Sequence, residues 1–142
     1  MNENIGYLIN NLSKNLKYLL NKEIEYKNIT AAQYSVLKYL QQNNPDYQKN
    51  IADHLNADRP TITEIIKKLE RKDFIKKIKD ENDKRYYKIS LNQTGLNLIF
   101  EIDIISDDLI EKLLVGFTKE EIDLFKKLLK KSNDNLWGLK NE

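Results

Sequence analysis

The chain has 142 residues, 40% of them hydrophobic and 32% charged, with a net charge of +2. That length suits one domain with a real core, and no apolar run approaches the 18 or so residues that a membrane span needs. With no cysteine and a single histidine, His54, there is no basis for disulfides, thiolate metal sites or a thiol redox switch, and an all-protein zinc site would need several carboxylates. The opening residues, Met1 to Tyr7, contain no basic segment leading into an apolar one. No secretion signal is expected, and the cytoplasm is the expected location.

The first predicted element is a long helix. Ile5, Leu8, Leu12, Leu16 and Leu19 recur at spacings of three and four, Ile9, Leu20 and Ile24 widen the apolar face, and the pattern ends before Asn28. Thr30 caps a second helix running to about Gln42, with Ala31, Tyr34, Val36, Leu37 and Leu40 as its apolar positions and Pro45 in the break beyond it. A short third helix covers residues 48–55 and carries Ile51, Ala52 and Leu55. The small Ala52 leaves room for another helix to cross closely. Asn56, Ala57 and Asp58 then supply a turn, and Asp58 caps the next helix.

In that fourth helix Ile62, Ile65, Ile66 and Leu69 fall on one stripe, which predicts burial. Opposite them lie Pro60, Thr63, Glu64, Lys67 and Arg71, flanked by Thr61 and Lys68. Cations mixed with short hydroxyls suit a DNA major groove, where Lys and Arg meet phosphates or guanine and Thr meets a thymine methyl or a phosphate. A short helix, a tight turn and a longer helix with an exposed polar start form a helix-turn-helix arrangement.

Two short strands follow. Phe74, Lys76 and Ile78 alternate with Ile75, Lys77 and Lys79, and Tyr87, Ile89 and Leu91 alternate with Tyr86, Lys88 and Ser90. Between them the run Asp80-Glu81-Asn82-Asp83-Lys84-Arg85 is expected to be too polar for burial and to form the tip of a wing. An arginine there suits the negative potential of a narrow minor groove, and Asp83 is placed to hold Arg85 by a charge-assisted hydrogen bond. Positive charge concentrates here. From Arg59 to Lys88 eleven Lys and Arg face six Asp and Glu, a surplus of five, so the rest of a +2 chain is net −3. By charge alone a solvated, lysine-rich surface fits as well as a DNA-binding one.

The motifs in order are Ile29-Thr30-Ala31-Ala32-Gln33 with Val36, Leu37 and Leu40; Ile51-Ala52 with Leu55; Thr61-Ile62-Thr63 with Leu69 and Glu70; Asp80 with Asp83-Lys84-Arg85; and Leu91-Asn92 with Gly95. Over about residues 29–98 this series resembles the MarR family of bacterial transcriptional regulators. Lys84 stands in place of one arginine of the family's wing motif, Asp73 where the family often has Gly, and Asn92 where it often has Thr. The resemblance implies a mainly α fold: a winged helix-turn-helix core over 30–91, and dimerisation helices over 1–28 and 93–142, in one domain. It makes the fourth helix the recognition helix, Arg85 the minor-groove arginine and Asp83 its orienting partner. The candidate DNA-contacting residues are thus Arg59, Pro60, Thr61, Thr63, Lys67, Lys68, Arg71, Asp83, Lys84 and Arg85.

Beyond the core, residues 93–115 carry apolar side chains around most of a helix circumference, among them Leu98, Ile99, Phe100, Ile102 and Ile104, and burial on more than one side is expected. Thr118 and Glu121 make a capping box for a last helix with Leu124, Phe125, Leu128, Leu129, Leu136 and Trp137. With the first helix these offer more apolar surface than a monomer covers easily. A homodimer is expected, presenting two recognition helices about 34 to 36 Å apart to a near-palindromic operator in double-stranded DNA. The resemblance also implies a repressor released by a small aromatic or anionic effector, with Tyr18, Tyr34, Tyr39 and Phe100 as candidate lining residues. Regulation without a ligand, or a winged helix that contacts an acidic protein, is compatible with the same residues. Asp107 and Asp108 point to different helix faces and no phosphate loop or metal-ligand cluster is present, so no catalytic residue, metal or cofactor is expected.

Overall fold

The structure is a computed structural model and describes residues 4–141. They pack as two compact units, one up to Leu109 and one from Ile110 onward. The first unit begins with α1, Ile5–Ile24, whose leading amides of Gly6 and Tyr7 are taken by the Asn4 side chain. A 3-10 turn, Glu25–Lys27, brings the chain to Asn28 in the left-handed region, φ 57°. α2, Ala31–Gln42, opens with a full capping box between Thr30 and Gln33, a device worth roughly 1 kcal/mol for its Thr alone. α3, Gln48–Leu55, stops at left-handed Asn56, φ 53°. Two residues later Asp58 starts α4, Arg59–Arg71, by accepting the Thr61 amide at 2.7 Å, with Pro60 in the first turn.

Asp73, φ 62°, turns the chain out of α4 into a three-stranded antiparallel sheet. β2, Ile75–Lys79, and β3, Tyr87–Leu91, form the expected hairpin, with Ile75 opposite Leu91 and Lys79 opposite Tyr87. The third strand, β1, Asp46–Tyr47, pairs with the other side of β3 and places Asp46 opposite Ile89. Two residues are too few for alternation to show, so the sequence pattern reads as a two-stranded hairpin only. The Asn92 side chain accepts the Gly95 amide at 2.8 Å and donates to the Asp73 carbonyl, so the residue that opens α5, Gln93–Leu113, also closes the turn after α4.

The core of this unit lies where these elements converge. Ile24, Val36, Leu37, Leu40, Ile51, Ile62, Ile66, Leu69, Ile75, Ile89, Ile99 and Ile102 are essentially inaccessible, and each is worth about 1.5–3 kcal/mol of burial. The α4 stripe is buried as its spacing requires, with Ile65 partly so. α5 buries Leu98, Ile99 and Ile102 but leaves Phe100 and Ile104 52% and 72% exposed. Burial on more than one side, expected from the circumference of apolar residues, is not met within the chain. α1 behaves alike: Ile5, Leu8, Ile9 and Leu12 are exposed and only Ile24 is buried.

In the second unit Gly116, φ 87°, precedes α6, Lys119–Lys140, which opens on the predicted Thr118–Glu121 capping box. Phe117 stacks on Phe125 at 5.8 Å. No described residue of α6 is buried, and Leu124, Leu128, Leu129, Leu136 and Trp137 are all exposed. None of the described helices is long and apolar enough to cross a membrane.

Candidate nucleic-acid interface

The α4 stripe that enters the core fixes which residues cannot. Arg59, Pro60, Thr61, Lys67, Lys68 and Arg71 are exposed, and together they line the outer face and N-terminal end of the helix. Thr63 is only half exposed, because Gln48 at the start of α3 donates its side-chain amide to the Thr63 hydroxyl at 2.7 Å. That bond crosses between the two helices and orients the hydroxyl. Lys68 lies 3.9 Å from Glu64 one turn earlier. Both are well exposed, so the pair adds little to stability.

At the wing tip Arg85 and Asp83 are joined three times. The guanidinium donates from Nε to Oδ1 at 3.1 Å and from Nη2 to Oδ2 at 2.9 Å, and the Arg85 backbone amide donates to Oδ1 at 3.1 Å. The fork geometry restricts the rotamers of a side chain that is itself 82% exposed. The Arg85 guanidinium, and then its amide, hold the Asp83 carboxyl below the usual carboxylate range, and the same hydrogen bond raises the pKa of Arg85. Arg85 therefore presents a held cation toward solvent.

Helix and wing meet at a cleft of about 410 Å³ lined by Gln48, Lys49, Ala52, Arg59 and Tyr86. Its rim carries two cations and a tyrosine ring against which Arg85 also lies, 5.8 Å from the centroid. Gln48, Lys49 and Tyr86 were not among the residues singled out by the sequence, since nothing local to them marks the face they occupy. The cleft brings Arg59 at the start of α4 together with Tyr86, the residue after Arg85 on the wing.

One expectation is overturned at the base of the wing. The run 80–85 is not wholly excluded from burial: Asp80 is 5% exposed. Its carboxylate is satisfied by the hydroxyl of Tyr47 and by the Asn82 amide at 3.0 Å. These donors hold its pKa below the usual range against the cost of burial. Tyr47 lies 33 residues earlier, and no local pattern announces the pairing.

Of the four aromatic residues expected to line an effector site, Tyr18 borders one described cleft and Tyr34 and Tyr39 another. Tyr18 borders an open cleft of about 860 Å³ beside α1, the start of α2 and the later half of α4, with Lys17, Lys22, Lys68 and Lys72 around it. Within that cleft Asn21 already accepts the Ala31 amide and Lys72 donates to the Asn28 carbonyl. Tyr34 and Tyr39 line a smaller cleft of about 290 Å³ that includes Lys38 and His54. Their hydroxyls donate to Asp103 and Asp46 respectively. Burial, then the Asp46 hydrogen bond, pushes the Tyr39 pKa up to about 12, and burial, then the Asp103 hydrogen bond, raises that of Tyr34. Phe100 lines neither of these clefts. No group of His, Asp or Glu among the described residues is arranged to hold a metal ion.

The family model described as MarR family matches residues 29–87, the span from just before α2 to the start of β3. A curated relative from Bacillus subtilis, the uncharacterized HTH-type transcriptional regulator YybA, is 29% identical over 125 residues, which cover 88% of this chain and 83% of the relative. Among solved structures, wild-type MarR from E. coli in its apo form superposes with a TM-score of 0.83 at 25% identity, covering 93% of this chain and 98% of that one. The S. aureus MepR–DNA complex gives 0.79 at 28% identity, covering 94% and 96%. The matched span, the winged core and these neighbours agree, and the chain is similar to the MarR family of winged helix-turn-helix transcriptional regulators.

Proposed function

We propose that this protein binds a near-palindromic operator in double-stranded DNA as a homodimer and represses transcription until a small molecule releases it. The observation that carries the reading is the cleft that Lys49 and Arg59 share with Tyr86 of the wing, against whose ring the Asp83-held Arg85 lies. In this reading Thr61, Thr63, Lys67, Lys68 and Arg71 face a major groove, with Arg59 and Pro60 at its edge. Lys84 meets a phosphate and Arg85 enters a minor groove. Residues 30–91 are the DNA-binding core, and 1–28 with 93–142 serve dimerisation. Support for pairing comes from the apolar faces that α1 and, separately, α6 leave exposed, a composition that water-facing helices rarely carry. The MepR relative captured on DNA supports the choice of partner. Lys17, Lys22, Lys68 and Lys72, against the single carboxylate of Glu25, leave the cleft beside Tyr18 net positive, which favours an anionic aromatic effector over a neutral one. Such a ligand acts only if it prefers the non-binding arrangement of the dimer.

Salt dependence tests the reading. Affinity for duplex DNA from the region upstream of the protein's own gene, followed by fluorescence anisotropy, is expected to fall by roughly 0.9 log unit per phosphate contact for each log unit of salt. Lys84→Ala is expected to flatten that slope by about one contact. An affinity indifferent to salt, or an acidic peptide displacing the duplex, contradicts it.

A further inference from the structure

Among the described residues Asp80 is the only buried carboxylate, and nothing in the proposed DNA contacts uses it. It stands at the mouth of the wing loop between β2 and β3. Its backbone amide donates to the Tyr86 carbonyl at 3.0 Å, and the Tyr86 amide donates to the Asp83 carbonyl at 3.1 Å. The loop is thus closed at Asp80 and Tyr86 with Arg85 inside it. A buried carboxylate is costly unless donors meet both its oxygens. One donor, the Asn82 amide, belongs to the loop itself. The other, the Tyr47 hydroxyl, does not.

Tyr47 belongs to β1 and is also the residue immediately before α3. Its position is fixed from the helical side: the Asp46 carboxylate accepts the Tyr39 hydroxyl of α2, the Asn50 side chain of α3 and the Tyr47 amide, the last two at 2.7 Å. Its ring carries the Lys88 ammonium of β3 at 5.2 Å from the centroid. β1 contributes only two residue pairs to the sheet. A side-chain bond from a residue held by α2 and α3 to the mouth of the loop is therefore a brace on a hairpin that is otherwise steered by a short ladder. An arginine beyond the brace moves with any tilt of the loop.

We propose that the Tyr47–Asp80 hydrogen bond is a positioning pair that sets where the wing carries Arg85 relative to α4, so that the protein selects DNA by the offset between its minor-groove and major-groove contacts. The proposal rests on the DNA-binding reading above. Ordering the wing before binding removes a cost that would otherwise be met from the interface. The pair acts through Arg85 and touches no base.

Tyr47→Phe tests it, because the variant keeps the ring over Lys88 and removes only the hydroxyl. Binding to a selected duplex is expected to weaken roughly three- to tenfold, the loss of one hydrogen-bonded anchor, with affinity for random-sequence duplex unchanged. In an Arg85→Ala background the same change is expected to have no effect, since residues acting as a unit are not additive. Asp80→Ala, which removes the acceptor instead, should reproduce the loss, and the double variant should be no weaker than either single one. Amide hydrogen exchange of the DNA-free proteins gives a separate readout: residues 80–87 exchange faster in both variants while α4 is unchanged. An equal loss of binding with and without Arg85, or unchanged protection at 80–87, overturns the proposal. A wild-type protein that binds no duplex fails the DNA-binding reading instead, and the exchange result still decides whether the brace holds the wing.

Discussion

Arg85→Ala is expected to weaken binding to the operator by roughly tenfold or more, the size of losing one well-placed guanidinium contact, while leaving the thermal midpoint unchanged. The side chain is 82% exposed, so its removal opens no cavity and leaves no buried group unpaired. Its value lies in being held. Asp83 fixes the guanidinium by two hydrogen bonds, and the Arg85 backbone amide in turn anchors the Asp83 carboxylate, so little rotamer freedom is lost when the side chain enters a groove. Arg85→Lys keeps the charge but cannot form the fork, and is expected to recover only part of the affinity. Titration of each variant with a fluorescent duplex checks the series. An Arg85→Ala protein that binds as tightly as wild type removes the arginine from the interface.

Gly95→Ala is expected to destabilise the protein by about 1–3 kcal/mol, the usual cost of forcing a group into filled space, and to lower the melting temperature by several degrees. A Cβ on Gly95 would stand 2.4 Å from the Phe74 carbonyl oxygen and 2.7 Å from Leu91 Cδ1. The first of these is backbone and cannot swing away. It is tied down as well, because the same Phe74 carbonyl accepts the Asn92 amide at 3.2 Å. The exit of α4, the end of β3 and the start of α5 meet at this corner, and relief of the clash has to move one of them. Calorimetry of the purified variant gives the answer. A midpoint equal to that of wild type means that the corner yields more easily than its contacts imply.

The parts of this fold that were legible in the sequence are those whose causes are local. Thr30, Asp58 and Thr118 announce their helices because a short side chain can reach an amide two or three residues ahead. The α4 stripe is legible because helix periodicity alone decides which residues share a face. Pairing of Asp83 with Arg85 lies within reach because the two positions are only two residues apart. Parts that were not legible depend on distant partners. β1 is two residues long and exists because β3 offers an edge beside it. Asp80 is buried because Tyr47 comes to it from the other side of two helices, and a polar run gives no sign of that. The separation of Tyr18 from Tyr34 and Tyr39 into different clefts follows from which face of each helix packs inward, and an inventory of aromatic residues does not contain it.

Selection of duplexes from a random pool by the full chain bears on DNA recognition, pairing of two copies and the division of labour between α4 and the wing at once. The winners are expected to share a two-fold symmetric sequence whose half-sites lie about one helical turn, 34 to 36 Å, apart. Loss of that enrichment at high salt is expected as the phosphate contacts weaken. A pool that shows no enrichment, or enriched sequences without two-fold symmetry, contradicts a dimeric operator-binding protein.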